Sequence, residues 1–457
     1  MRSSPLSPET MNTHPFIYQI YVDAFARGSS GRSPGRRRGG DLEGVIERLD
    51  HVASLGADAI WLTPIFASTS DHGYNITDYF RVDPRLANDE TPGAAEDLFG
   101  DLVESAHRRG IAILLDLPLN HCGHGYDLAT THPDRDVRIR PARTRQERGW
   151  SRDLKYFDAD HEDTRRFLFD VARHWVERFG VDGYRYDYVH GIANPFWEAL
   201  YTELREIRSD LFVVGEHWDD MGGPEANAAD IASRFDGDAG PCFDTLFDFP
   251  FQAAAVESIA AGEPSGLVKI LDYCDTVYPR PTCAMLDNHD TARVADWAGR
   301  NSFRTAVALK LLAAQTGPIS VLYGTETGLA AGKLPKRAVD ESSRVPMNWD
   351  SPDETLLELS RRVFALRRSA AALCEGRVER RAAIGSLYFE VKRAASGERI
   401  AVMLNFSDED VPAGTEVGEI LGQKFQSDDL SGGPPLDVRD GRLRAPVPSL
   451  GGGYFAL

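Results

Sequence analysis

Apolar positions along this chain follow two alternating rhythms. Short runs rich in β-branched and aromatic residues are bounded by polar or glycine-containing turns and predict strands. They are "FIYQIYV" (Phe16 to Val22), "AIWLTP" (Ala59 to Pro64), "IAILLDLP" (Ile111 to Pro118), "GYRYD" (Gly183 to Asp187), "FVVGE" (Phe212 to Glu216), "FDTLFDF" (Phe243 to Phe249), "TCAMLDNHD" (Thr282 to Asp290) and "ISVLYG" (Ile319 to Gly324). Between them, apolar residues return at three- and four-residue intervals, the stripe of a helix laid against a core. Leu42, Val45, Ile46, Leu49, Val52 and Ala53 form one such stripe. Leu98, Leu102, Val103 and Ala106 form a second, and Phe167, Leu168, Val171, Trp175, Val176 and Phe179 a third. Eight strands alternating with helices predict an α/β fold, a closed (β/α)8 TIM barrel.

Two departures from the rhythm define the other parts. After the third strand come about forty residues rich in Arg, Asp, His, Gly and Pro, far longer than an ordinary βα connection. A long polar βα loop lies at the mouth of a barrel, so this segment predicts a short inserted lobe walling one side of a cleft. After the helix "LLELSRRVFALRRSAAAL" (Leu356 to Leu373) the period changes to two, in "SLYFEVKR", "RIAVMLNFS" and "RLRAPVP", which predicts a C-terminal antiparallel β-sandwich. The expected organisation is barrel over 15–117 and 161–374, inserted lobe over 118–160, and sandwich over 375–457.

Composition narrows the partners. With 457 residues the chain exceeds what a single core usually supports, in keeping with a large domain and a smaller one. A formal charge of -19 excludes the basic surface that a nucleic acid or an anionic membrane requires, and suits a neutral substrate. The one basic cluster, "SPGRRRGG" (Ser33 to Gly40), reads as a solvated loop. Five scattered cysteines, odd in number and without a C-x-x-C pair, argue against a disulfide framework and a zinc site. The N-terminus has no continuous apolar stretch of signal or membrane-spanning type, so the expected location is cytoplasmic, with residues 1–14 as a loose tail.

The chemistry concentrates at strand ends, which on such a barrel converge on one pocket. The third strand ends in Asp116, followed by Asn120 and His121; the fourth in Arg185 and Asp187; the fifth in Glu216; the seventh in His289 and Asp290. Residues two apart on a strand share a face, so Arg185 stands beside Asp187 and favours its ionised form. Glu216, near like charges and beside Trp218, is expected to hold its proton more tightly. One ionised and one protonated carboxyl group is what cleavage of a glycosidic bond needs. The same carboxylates and histidines are also compatible with a divalent metal, although a guanidinium among the ligands opposes it. Singly, Asp116 or Asp290 could be a helix cap or half of a buried ion pair.

Together, these segments resemble the α-amylase family of retaining glycoside hydrolases, family 13. The matching stretches are "GADAIWLTP" (Gly56 to Pro64), "HGYNITDYF" (His72 to Phe80), "DLPLNH" (Asp116 to His121), "GYRYD", "GEHW" (Gly215 to Trp218), "LDNHDTAR" (Leu286 to Arg293) and "GPISVLYGTE" (Gly317 to Glu326). The resemblance covers residues 16 to 457 and is nearest to intracellular maltodextrin- and cyclomaltodextrin-hydrolysing members. It implies Asp187 as nucleophile, Glu216 as general acid and base, and Asp290 as the residue fixing sugar hydroxyls. It further implies Arg185 orienting Asp187, His121 and His289 binding hydroxyls, Tyr74 as an aromatic platform, and Asp116 as a support. The substrate it implies is an α-glucan oligosaccharide.

Departures from the family pattern are also visible. Where many members carry Lys-His three and four residues after the nucleophile, this chain has His190 and Gly191, a departure at a subsite contact and at a usual backbone calcium ligand. The segment Asp23 to Arg32 lacks an Asn/Asp-rich calcium loop. Asn120 could still serve a structural calcium ion, but no cofactor and no essential metal are expected. Two other functions use the same residues differently: a transglycosidase passing the glycosyl group to a second sugar, as glucanotransferases or sucrose- and trehalose-converting enzymes do, and a non-catalytic barrel that binds sugar or a partner protein. Retention of Asp187, Glu216 and Asp290 argues against the last.

Overall fold

The structure is a computed structural model that describes residues 13–29, 38–87, 91–218, 222–335 and 341–457. Residues 1–12 of the expected tail and residues 33–37 of the basic cluster lie outside the described residues. Eight parallel strands form one sheet: β1 (Phe16–Ile20), β2 (Ala59–Leu62), β3 (Ala112–Leu117), β4 (Gly183–Tyr186), β5 (Phe212–Gly215), β6 (Thr245–Leu246), β7 (Ala284–Met285) and β8 (Ile319–Leu322). Their spatial order is β6-β5-β4-β3-β2-β1-β8-β7. The ring is closed between β6 and β7 by one parallel bridge, Phe247 to Cys283, with Asp248 N donating to Cys283 O (3.0 Å) and Cys283 N to Leu246 O (2.8 Å). The barrel is therefore complete.

All eight strands are buried along their length, which is why they read as continuous apolar runs rather than alternating ones. Gly183 opens β4 because nothing larger fits there: a Cβ would lie 1.9 Å from Phe212 O on the neighbouring strand. The sixth and seventh runs, expected over Phe243–Phe249 and Thr282–Asp290, form strands of two residues each. Beyond Met285 the chain leaves the ladder and carries His289 and Asp290 into the mouth.

The helical stripes face the sheet. In Glu162–Phe179, the residues Phe167, Leu168, Val171, Trp175 and Val176 are buried, and Gly180 ends the helix in the left-handed conformation (φ 70°). The first stripe is not one helix. It divides at Arg48 into Leu42–Glu47 and Leu49–Ser54, and the break turns Ala53 to solvent.

Two small additions stand at the C-terminal ends of the strands. A hairpin, Phe66–Ser68 with Ile76–Val82, follows β2 and carries Tyr74 in its turn. A three-stranded antiparallel sheet, Leu154–Phe157 between His121–Gly123 and Ile139–Arg140, follows β3. C-terminal to the barrel, a four-stranded antiparallel sheet (Arg377–Ile384, Leu387–Arg393, Arg399–Asn405, Gly452–Ala456) faces a three-stranded one (Lys424–Ser427, Leu436–Arg439, Arg442–Leu443). Phe389, Val391, Met403, Val438 and Phe455 fill the space between them, forming a sandwich. The other face of the larger sheet joins the barrel core through Tyr388, Val402, Leu404 and Tyr454.

Candidate active site

A cavity of about 370 Å³ opens at the mouth of the barrel, within the size range of small-molecule sites. Tyr74, His121, Asp187, Glu216 and Asp290 line it, together with Arg344. Aromatic side chains from three segments, Trp150, Tyr188 and Trp218, complete its walls. A larger groove of about 550 Å³ lies beyond Trp218, along Glu225, Phe249, Gln252, Glu257 and Lys269, but holds none of the three carboxylates. The smaller cavity carries the chemistry.

Arg185 organises its floor. The guanidinium is fully buried; Nη1 donates to Asp187 Oδ1 (2.6 Å) and to Asp116 Oδ1 (2.7 Å). Nη2 lies 2.6 Å from Glu216 Oε1, an ion pair whose angles are not those of a hydrogen bond. One planar cation thus gathers the carboxyls at the ends of β3, β4 and β5, and the Trp61 ring supports it from 5.1 Å. Asp116 has no access to solvent. Its Oδ2 accepts from Trp61 Nε1 (3.0 Å) and Tyr74 OH (2.8 Å), so it supports neighbours rather than facing the cavity.

The carboxyl groups differ sharply in proton affinity. Burial pushes Glu216 up to about 8; Arg185 opposes the rise, while Asp187 and Asp290 add to it. Glu216 Oε2 meanwhile accepts from the backbone N of Tyr188 (3.1 Å). Burial also acts to raise Asp290, yet neighbouring positive charge overcomes it and brings the group down to about 2. His289 is itself lowered to about 3 by burial and is neutral at pH 7, so the cation that matters is Arg344, whose Nη2 sits 2.5 Å from Asp290 Oδ1. A protonated glutamic acid and an ionised aspartate therefore face the same space.

The remaining expected residues are placed as follows. His121 is buried against the cavity with both ring nitrogens lacking a well-formed hydrogen bond, Nδ1 lying 4.0 Å from Asp187 Oδ2. Burial lowers its pKa, leaving an uncharged ring able to exchange hydrogen bonds with a ligand. The Tyr74 and His289 rings lie parallel and edge to edge, with centroids 5.5 Å apart and planes 2° from parallel. His289, expected to touch a sugar hydroxyl, lies behind the wall with no exposed surface. Gln19 Nε2 donates to its Nδ1 (2.7 Å), which leaves the proton on Nε2, 2.6 Å from Tyr74 OH and 3.0 Å from Asp290 Oδ2. It acts through those two residues.

Several contributors have no sequence signal of their own. Arg344 comes from the connection after β8, beyond the strand ends that draw attention in the sequence. Tyr188, the residue after Asp187, holds a left-handed backbone (φ 44°), unusual for a bulky side chain and a feature of functional turns. Its OH lies 2.7 Å from Thr144 Oγ1 of the lobe and its ring meets Trp150 edge-on at 4.9 Å. Through it the lobe is joined to the segment carrying Asp187 and, by the Tyr188 backbone N–H, to Glu216.

Asn120 Oδ1 and the carbonyl of Gly191, the positions where a calcium ion would be sought, both accept from the guanidinium of Arg140, so they do not fit a calcium ion. Among the described residues His190, His217 and Asp230 bring donor atoms within 4.8 Å of one another. There, His217 Nε2 and Asp230 Oδ2 are already a hydrogen-bonded pair at 2.5 Å.

The chain resembles known proteins along most of its length. The chain is 28% identical over 429 residues to a cyclomaltodextrinase of Geobacillus thermopakistaniensis (strain MAS1), covering 86% of this chain and 68% of that protein. It is 29% identical over 474 residues to neopullulanase 2 of Thermoactinomyces vulgaris, covering 94% and 75%. The crystal structure of an Anoxybacillus α-amylase superposes with a TM-score of 0.81 at 26% identity, covering 97% of this chain and 98% of that one. Residues 19–358, which run from within β1 past β8 and include the inserted lobe, match the model of the α-amylase catalytic domain, and the chain belongs to that family of α-glycosidases.

Proposed function

We propose that the protein hydrolyses α-1,4-glucosidic bonds of maltodextrins or related α-glucans by double displacement, with retention of configuration. Asp187 attacks the anomeric carbon while Glu216 protonates the departing glycosidic oxygen; Glu216, now ionised, then takes a proton from the water that releases the glycosyl group. The observation that carries this reading is the Arg185 guanidinium shared by Asp187 and Glu216, with Glu216 raised to about 8. Two carboxyls held by one cation suit the short spacing of retaining enzymes, about 5–5.5 Å, better than the wider gap that admits a water molecule.

Asp290, ionised beside Arg344, is assigned to the sugar hydroxyls and to the positive charge that develops on the ring. Tyr74 supplies an aromatic face for the apolar side of the sugar, and His121 a hydrogen bond to a hydroxyl. The relatives' names, cyclomaltodextrinase and neopullulanase, support a neutral α-glucan as substrate. Five unpaired cysteines, four of them buried, support a reducing, cytoplasmic setting.

The experiment is a product analysis over maltotriose, cyclodextrin, starch, pullulan, isomaltose and sucrose, with the anomer followed by proton NMR. Glucose and maltose released as the α-anomer are expected, and Asp187→Ala is expected to lose the activity. An inverted product, or an Asp187→Ala enzyme of undiminished rate, sinks the assignment. Products longer than the substrate would identify transfer to a sugar rather than to water.

A further inference from the structure

Arg140 lies in the lobe, yet its guanidinium ends at the junction with the barrel. It is 6% exposed, and five oxygens surround it. Nη1 donates to Glu147 Oε2 (2.9 Å) and Pro141 O (3.0 Å). Nη2 donates to Glu147 Oε1 (2.7 Å), Asn120 Oδ1 (2.9 Å) and Gly191 O (3.0 Å). The Tyr156 ring lies 5.5 Å away. Asn120 and Glu147 have no exposed surface at all.

The origin of these oxygens matters. Asn120 follows β3, Glu147 belongs to the lobe helix Arg145–Trp150, and Gly191 lies four residues after Asp187. The group therefore joins three separate segments, one of which carries the expected nucleophile. Position 191 admits only glycine, since a Cβ there would lie 2.2 Å from Asn120 Oδ1. The bare glycine lets the chain lie against Asn120, with its carbonyl accepting from Arg140. An all-oxygen cage around one positive centre is also the environment that a hard cation such as calcium selects. With a guanidinium inside, a second cation would meet both steric overlap and like charge.

We propose that Arg140 is a built-in cation that fills a divalent-cation site at the lobe–barrel junction, and that removing its side chain opens that site to calcium. Its fork satisfies both oxygens of Glu147 and neutralises a carboxylate that burial would otherwise disfavour. The lobe is thereby fixed to the segment after Asp187 without a metal.

The test is thermal melting of the full chain in chelator and in millimolar calcium. The wild type is expected to melt at one temperature in both and to retain no stoichiometric calcium after dialysis. Arg140→Ala is expected to melt several degrees lower in chelator and to recover at least half of that loss with calcium. The double variant Arg140→Ala, Glu147→Gln is expected to stay low in both. Arg140→Lys keeps the charge but loses the fork, and covers the case of an alanine variant that does not fold; it is expected to melt below the wild type and to ignore calcium. A wild type that binds calcium stoichiometrically, an Arg140→Ala protein blind to calcium, or an Arg140→Lys protein as stable as the wild type overturns the proposal.

Discussion

As the proposed proton donor, Glu216 meets two opposed demands, because the burial that keeps it protonated at neutral pH also makes its ionised form costly. The acid must be protonated in the free enzyme, so kcat/KM is expected to fall as pH rises through about 8, as a pH–rate profile will show. Glu216→Gln should lower kcat by about 10²- to 10⁴-fold. The same change should stabilise the fold. A carboxyl whose folded pKa is raised contributes stability that is complete below its ordinary value of 4.5 and is lost as pH climbs towards 8. The melting temperature of Glu216→Gln relative to wild type is therefore expected to increase across that window. Asp290 has the opposite sign: its pKa is lowered to about 2, so its contribution is present above 3.8 and lost as pH falls towards 2. Arg344→Met leaves burial less opposed and raises that pKa. Acid unfolding of the variant should begin at higher pH, and the acid limb of its kcat/KM profile should move the same way; an unmoved limb would show that Arg344 does not set the charge of Asp290.

Elements place these groups to within the reach of one guanidinium, and the placement begins with a glycine. Gly183 lets β4 pass so close to β5 that a methyl group would enter the carbonyl of Phe212. Gly183→Ala is expected to cost about 3 kcal/mol in urea unfolding, and to reduce activity by shifting Arg185 two residues along the same strand. At this scale the sequence was largely legible. Buried parallel strands are largely apolar, so all eight can be read, and the few polar residues in them and at their ends, Asp116, Arg185 and the carboxylates, mark the site. What could not be read is whatever depends on reach from a distant segment. Arg344 meets Asp290 across 54 positions, and Arg140 meets Gly191 across 51. Neither has a local pattern, since an arginine in a polar loop looks the same whether it meets water or a buried oxygen. The division of the first stripe at Arg48 was hidden for a related reason: periodicity survives a break that changes only one turn.

In the whole molecule, the sandwich is a continuation of the core. Its larger sheet shares one face with the barrel, and Arg381 on that sheet meets Asp272 and Asp275 of the barrel helix Ser265–Val277 as well as Glu390 of its own sheet. Period-two alternation announced the sheet but could not announce that both of its faces would be covered. The barrel itself is less uniform than its eightfold pattern suggests. From β5 through β4, β3, β2 and β1 to β8, each neighbouring pair is matched over four residues, whereas β6 and β7 meet at one. A hoop parts at its thinnest rivet. Warming should let deuterium into the amides of Asp248 and Cys283 before the opposite staves exchange. Since Glu216 and Asp290 flank that seam on either side, heat should silence the enzyme while most of its helices are still wound, and circular dichroism set beside residual activity will register the gap between the two temperatures.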